Sequence, residues 1–246
     1  MKLLVIVLCL LSERFLEHKS ARHRIHWFTH YAQWMAKQLS HIPSSGWVLA
    51  LMLFPLIISV GIVLFITANW LFGLVALIFN VIIFHFCVGP GNPFYPMQGS
   101  TEENASDDIG AYLVQVNGQL FAVLFWYIAL GPLATLIYRL ISLCQKQPAV
   151  GELASKLTDV LDWLPVRMTA LLFMFVGNFQ AGLHHFSKLL FSVPANNETL
   201  LIGCGTYALG GKKGEPVAMP LAESLVEHAV IMLLVLLSLF TLAAWV

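Results

Sequence analysis

The chain has 246 residues, of which 59% are hydrophobic and only 11% are charged, and its mean hydropathy is +0.80. Soluble domains carry roughly 25% charged residues, so this composition excludes an ordinary soluble fold, whose surface needs more polar groups. The formal net charge is zero, so the bulk charge says nothing about nucleic acid. We expect no nucleic-acid partner. The composition predicts an all-α, polytopic helical membrane protein, with residues 1–246 forming one integral membrane domain in the lipid bilayer.

The first predicted element is an apolar helix at residues 1–16. Its apolar stretch, "LLVIVLCLL", is shorter than the ~20 residues that cross a bilayer and resembles the core of a signal peptide. No cleavage site made of small residues follows it, so we expect an uncleaved helix. Glu13 and Arg14 lie at its membrane-proximal end.

Residues 13–45 are polar and basic. Trp27, Tyr31 and Trp34 recur at spacings of four and three, which predicts an amphipathic helix on an anionic membrane surface. His26 and His30 are four residues apart, but no carboxylate or thiolate stands nearby at ligand spacing, so we predict no metal site and no cofactor. The basic residues place this segment on the cytoplasmic side.

Residues 46–88 are almost wholly apolar. At a rise of about 1.5 Å per residue this stretch is too long for one crossing and long enough for two, which predicts helices at 46–67 and 70–88. A loop is predicted at 89–118, because the segment begins with prolines and glycines, continues with acidic residues and contains no Lys or Arg.

A helix is predicted at 120–143, and Gly131-Pro132 near its centre should kink or break it. The next predicted element is an amphipathic helix. It is indicated by an apolar stripe at helical spacing, formed by Leu153, Leu157, Val160, Leu161 and Leu164. A helix at 165–190, a loop at 194–227 and a last helix at 228–246 complete the chain. The prediction is therefore about five to six membrane helices plus interfacial amphipathic helices, and it leaves open whether 168–190 crosses the membrane.

Charged residues stand directly before the apolar run that begins after "DWLPVR". Arg167 follows Asp159 and Asp162 by about two turns and one turn of helix. Such an arginine either pairs with a carboxylate and locks helices together, or lines a polar cavity that binds a ligand, since ionisable residues at membranes are functional candidates. Arg139 can join the same cluster, and guanidinium groups suit carboxylate or phosphate ligands. We find no nucleophile–base pair, so no catalytic residue is predicted.

Two segments carry a resemblance to a known family. "LFAVLFWYIALGPLATLIYRLI" followed by "VLDWLPVRMTALLFMFVGNF" resembles the AmpE proteins and, more distantly, the CbiB/CobD cobinamide-phosphate synthases; the close match covers residues 121–178. The opening "LCLLSERFL" also resembles the AmpE start, which adds Glu13 and Arg14 to the candidate cluster. Positions that match the shared motif are Tyr138, Arg139, Asp162, Pro165 and Arg167.

The resemblance implies a multi-pass protein of the bacterial inner (plasma) membrane. An AmpE protein is an accessory or signalling component in β-lactamase induction and cell-wall recycling, which implies an antibiotic response, an anionic cell-wall metabolite as ligand and no enzymatic activity. Self-association into a homo-oligomer stays open. The alternative is a CbiB/CobD-like amide-forming synthase of cobalamin assembly, but "QVNGQLFAVLFWY" lacks the acids that those synthases carry before this helix. A transporter is a third alternative, which no internal repeat supports.

Overall fold

The computed structural model of the chain describes residues 2–15, 21–39, 44–67, 74–88, 94, 105–211 and 218–243. Every regular element in this part of the chain is a helix, which confirms the predicted all-α class. The α-helices are α1 (Lys2–Phe15), α2 (Ala21–Gln38), α3 (Ser45–Thr67), α4 (Leu74–Cys87), α5 (Ala105–Val116), α6 (Ala122–Leu130), α7 (Pro132–Cys144), α8 (Gly151–Val176), α9 (Phe179–Leu189), α10 (Asn197–Ala208) and α11 (Met219–Ala243). A π-helix (Asn117–Phe121) joins α5 to α6, and a 3-10 helix (Pro194–Asn196) precedes α10.

Helices of membrane-spanning length and composition are present. Within the described residues, three segments are long and apolar enough to cross a bilayer: Ser45–Thr67, Ile109–Leu130 and Met219–Ala243. Large apolar side chains project outward from α3 and α11, where Phe65 is 83% and Phe240 72% exposed. Exposed surface of this kind is typical of contact with lipid rather than with water. The chain is therefore a membrane protein with transmembrane helices.

The described residues group into two compact units, each with its own core. The first comprises residues 1–92 and 123–161. Within it, α4 packs against α1 and α7, and α3 packs against α2, α4 and α7. The ring centroids of Phe84 and Tyr127 lie 4.8 Å apart, and the Tyr31 hydroxyl donates to the Met52 carbonyl oxygen at 3.0 Å. Aromatic packing and side-chain hydrogen bonds to main-chain groups thus join helices that are distant in sequence.

The second unit comprises residues 93–122 and 162–246. Here α10 packs against α9 and α5, and α11 packs against α5. Small residues allow the close approaches of α10: the Cβ position of Gly205 faces Leu113 of α5, and that of Gly203 faces His185 of α9. The expectation that residues 1–246 form one membrane domain stays a prediction.

The predicted break at Gly131-Pro132 is present. The Gly131 N–H donates to the Tyr127 carbonyl oxygen at 3.0 Å and ends α6, and Pro132 is the first residue of α7. Gly131 has φ +91° and ψ −167°, a backbone conformation that is essentially restricted to glycine. The Thr135 hydroxyl donates to the Gly131 carbonyl oxygen at 3.0 Å and stabilises the new helix start.

Replacement of Gly131 by alanine is expected to lower the free energy of unfolding by about 1–3 kcal/mol, because alanine is strained at this φ and ψ. A Cβ there would meet no atom within 4 Å, so the effect isolates backbone strain from steric overlap. Denaturant titration in detergent, followed by helical circular dichroism, measures the difference. Gly46→Ala is the control, since its Cβ makes only ordinary contacts, the nearest to the Ser44 Oγ at 3.8 Å. Equal stability of the two variants would contradict the expectation.

Several predicted boundaries differ from the observed ones. The loop predicted at 89–118 is helical from Ala105 onward, because Ile109, Tyr112, Leu113 and Val116 form a buried face at helical spacing. The helix predicted at 120–143 therefore begins earlier and consists of two helices separated at Gly131. Residues 68–73, which include the predicted break between the second and third helices, lie outside the described residues.

The C-terminal half differs in a similar way. The helix predicted at 165–190 is the end of α8 followed by α9, and the two separate at Gly177. The loop predicted at 194–227 contains α10 and the start of α11, because Leu200, Leu201, Cys204 and Ala208 form a buried helical face among small residues. Gly203 and Gly205 allow close packing of helices, whereas Gly210 lies in the turn that follows α10 and has φ +79°.

Candidate functional site

The candidate cluster is distributed over three helices. Glu13 and Arg14 lie in α1, and their side chains fall outside the described part of the chain. The remaining members divide into Arg139 and Asp159 in the first compact unit, and Asp162 and Arg167 in the second. The convergence of all of them on one pocket stays a prediction, and each arginine is described within its own unit.

Arg167 is buried, with 3% of its surface exposed, although it carries a charge. Its Nε donates to the Leu190 carbonyl oxygen at 2.6 Å. Its Nη1 donates to the Trp163 carbonyl oxygen at 2.6 Å and to the Asn197 Oδ1 at 3.0 Å. The guanidinium therefore connects α8 to the segment that follows α9 and to the first residue of α10.

The second amino group of Arg167 completes these contacts. Its Nη2 donates to the Ser192 carbonyl oxygen at 3.0 Å, and it also lies 3.4 Å from the Ser192 Oγ and 3.5 Å from the Leu189 carbonyl oxygen. The Cζ atom lies 4.0 Å from the centroid of the Trp163 ring, a cation–π contact. The Trp163 indole N–H also donates to the Ser192 carbonyl oxygen at 3.0 Å. We call Arg167, Trp163 and the carbonyl groups of Leu189, Leu190 and Ser192 the arginine clamp.

The clamp holds helices together, as the first of the two roles predicted for Arg167 would, but not through the predicted pairing with a carboxylate. In the part of the chain that the structure describes, the acceptors of its guanidinium are main-chain carbonyls, a hydroxyl and an amide, and no carboxylate is among them. All its donor nitrogens are in use, which leaves little capacity to bind a ligand. Trp163 and Arg167 are four residues apart and share a helix face; this spacing is the sequence signal that could have indicated the clamp.

The carboxylates on α8 lie in more polar surroundings. Most of the Asp159 side chain is exposed, and the burial of the rest raises the pKa of its carboxyl above the ordinary value. Two turns earlier, Glu152 accepts a hydrogen bond from the Lys156 Nζ at 2.7 Å, and this contact lowers the pKa of Glu152. The first half of α8 thus presents a charged, water-accessible face.

Arg139 has a different environment. It lies on α7 with 4% of its surface exposed, and its Nε is buried without a hydrogen-bond partner among the described residues. The Cys87 thiol of α4 and the neighbouring Tyr138 hydroxyl interact with it electrostatically. Because a guanidinium stays protonated in proteins, Arg139 is a buried cation with donor capacity available for a carboxylate or phosphate.

A buried polar contact in the second unit was missed by the sequence interpretation. The Thr169 hydroxyl donates to the Asn117 Oδ1 at 2.8 Å, and it also lies 3.0 Å from the Pro165 carbonyl oxygen. Asn117 begins the π-helix, and Gln119 within it has a buried Oε1 that lacks a hydrogen-bond partner in the described ranges. π-helices recur at functional sites. The polar residues Asn117 and Gln119 between apolar runs could have indicated this buried contact. The sequence interpretation instead predicted a loop that extended through residue 118.

Comparisons of the chain with protein-family models, with curated proteins and with solved structures found no match.

The chemistry of the site follows from the two arginines. Arg167 uses its donors within the fold, whereas Arg139 keeps an N–H without a described acceptor. An anion is the ligand that such a buried donor selects.

Proposed function

We propose that the chain is an accessory or signalling protein of the AmpE type, a multi-pass protein of the bacterial inner membrane that binds an anionic ligand at Arg139. The resemblance of residues 121–178 supports the link to β-lactamase induction and cell-wall recycling. The observation that carries the ligand site is the buried Nε of Arg139, which has no partner among the described residues.

The physical argument is the cost of burying a charge. Removal of an ion from water costs several kcal/mol unless hydrogen bonds and an opposite charge compensate. An anionic cell-wall metabolite carries carboxylates, which accept two parallel hydrogen bonds from one guanidinium. Arg139 also matches the tyrosine–arginine pair of the shared motif, since Tyr138 precedes it. Ligand binding would therefore offset the cost of the buried cation.

The proposed topology has five to six membrane helices. The three helices of spanning length contribute three crossings, and the shorter apolar helices α4 and α7 contribute others. Residues 13–45 are proposed to face the cytoplasm, because basic residues concentrate there. In this arrangement the protein relays the state of the cell wall and performs no chemistry of its own.

The test is calorimetric titration of the purified protein in nanodiscs with an anhydro-muropeptide. We expect the wild type to bind and Arg139→Met to lose about tenfold or more in affinity, since a hydrogen bond to a charged group contributes about 1.5–3 kcal/mol. Lys156→Met is the matched control, because Lys156 is an exposed cation whose partner is Glu152, and it should bind as the wild type does.

Two results would contradict the proposal. Equal binding by Arg139→Met, in a sample that keeps its helical content, would remove Arg139 from the site. Binding of a corrinoid such as cobinamide, with no response to the anhydro-muropeptide, would instead favour the CbiB/CobD-like synthase. Measurement of β-lactamase induction in cells that carry each variant then separates a signalling defect from a binding defect.

A further inference from the structure

The turn between α9 and the 3-10 helix exposes apolar side chains. In residues 190–193, Phe191 is 87% and Val193 62% exposed. Large apolar side chains that are exposed on a turn favour contact with another apolar surface, because their own apolar surface area would otherwise be in contact with water. The turn also lies in the same compact unit as α11, one of the helices of spanning length.

Most main-chain carbonyl groups of this turn have hydrogen-bond partners within the protein. The arginine clamp supplies donors to the carbonyl oxygens of Leu189, Leu190 and Ser192. The Ser192 N–H donates to the Leu189 carbonyl oxygen at 3.0 Å. Non-helical backbone is tolerated at membrane depth only where such groups have partners, since hydrocarbon offers none. The buried Arg167 thus meets this requirement at the carbonyl groups of Leu190 and Ser192.

Charged residues on both sides of the turn limit how deep it can lie. Lys188 and Glu198 are both exposed. A lysine can extend its ammonium group to the headgroups while its methylene groups contact apolar surface. Phe191 and Val193 would therefore reach the boundary between headgroups and acyl chains, and the flanking charges would stay in the polar layer.

We propose that residues 190–193 form a membrane-inserting turn, in which Phe191 and Val193 enter the lipid interface while the arginine clamp fixes the backbone. The occupant of this apolar surface is the bilayer rather than a second copy of the chain. The hydrogen bonds that the Leu190 and Ser192 carbonyl groups already accept support this choice, because these groups need no donor from a partner and lipid tails supply none.

The experiment places a fluorescent probe at the tip of the turn. Phe191→Cys is labelled with a thiol-reactive nitrobenzoxadiazole and reconstituted in vesicles of phosphatidylcholine and phosphatidylglycerol. The four native cysteines are buried, and labelling of the wild type gives their background. Glu198→Cys is the matched control, because residue 198 follows the turn closely in the sequence but is a charged position. Both substitutions replace exposed side chains, which leaves folding unaffected.

The expected result is a difference in quenching between the two positions. A nitroxide attached near the top of the acyl chain should quench the probe at 191 at least about twofold more than the probe at 198, because interfacial segments bury their apolar residues about 5–10 Å deep. Aqueous iodide should show the opposite order. Arg167→Lys, combined with Phe191→Cys, should reduce nitroxide quenching at 191, because lysine lacks the fork that satisfies the carbonyl groups.

Either of two outcomes overturns the proposal. One is equal iodide quenching at 191 and 198 with no response to the nitroxide lipid. The other is self-quenching at 191 that increases with the number of protein copies per vesicle, which would identify a second copy as the occupant. Neither outcome depends on ligand binding at Arg139, so failure of this proposal and failure of the proposed function are distinguishable.

Discussion

Replacement of Arg167 by methionine is expected to lower the free energy of unfolding by about 2–5 kcal/mol. Methionine keeps an unbranched apolar stem, although it is shorter than arginine, and removes every donor. The carbonyl oxygens of Leu190 and Ser192 then lose the Arg167 partners that lie at 2.6 and 3.0 Å, and the cation–π contact with Trp163 is lost as well. Removal of a buried charge offsets part of this loss, which is why the expected range is wide.

Unfolding of the purified protein by sodium dodecyl sulfate in mixed micelles measures this effect. Lys156→Met is the control on the same helix, and its salt bridge with Glu152 is exposed, so a change much smaller than that of Arg167→Met is expected. Arg167→Lys should fall between wild type and Arg167→Met, because an ammonium group keeps three donors but cannot reproduce the planar fork. A methionine variant as stable as the control would show that the clamp contributes nothing to stability.

Replacement of Gly177 by alanine is expected to destabilise the second unit by about 3 kcal/mol, at the upper end of the range for overpacking. A Cβ at this position would overlap the carbonyl oxygen of Ala208 and approach its Cβ. The backbone has little room to move away, because the Asn178 N–H donates to the Ala208 carbonyl oxygen at 2.9 Å and the Gly177 N–H to the Phe173 carbonyl oxygen at 2.9 Å.

Thermal unfolding in detergent, followed by helical circular dichroism, tests this expectation against Gly61→Ala. Gly61 lies inside α3, where an added Cβ would have its nearest neighbour, a Leu133 methyl group, at 4.0 Å. Alanine there should raise stability by up to about 1 kcal/mol, since it is the better helix former. The two glycine variants should therefore shift the midpoint in opposite directions, and shifts of the same sign would contradict the close backbone approach at Gly177.

Local sequence was sufficient where one residue type decides the conformation. Gly131-Pro132 predicted a helix break that the structure contains, because proline cannot donate and only glycine adopts φ +91° with ψ −167° at low cost. The apolar run of α3 likewise predicted a helix at 46–67, and the structure has it at Ser45–Thr67. In both cases composition over a short window determines the outcome.

Other elements depend on contacts that a sequence does not display. The glycines of α10 indicated a loop, yet Gly205 is small because Leu113 of α5 packs against it. Arg139 and Arg167 look alike as arginines at the edge of apolar runs, but the partners of Arg167 are mainly main-chain carbonyls more than twenty residues downstream. Every residue supplies a main-chain carbonyl group, so a sequence does not show which of them accept from an arginine. Only the structure distinguishes Arg167, whose donor nitrogens all have acceptors, from Arg139, whose Nε has none among the described residues.

The π-helix at Asn117–Phe121 lies inside a helix of spanning length. A π-turn contains one residue more than an α-turn. The insertion offsets every residue beyond Phe121 by about 100° around the helix axis and about 1.5 Å along it, relative to an uninterrupted α-helix. A helix without the insertion would therefore present different side chains at each level along its axis.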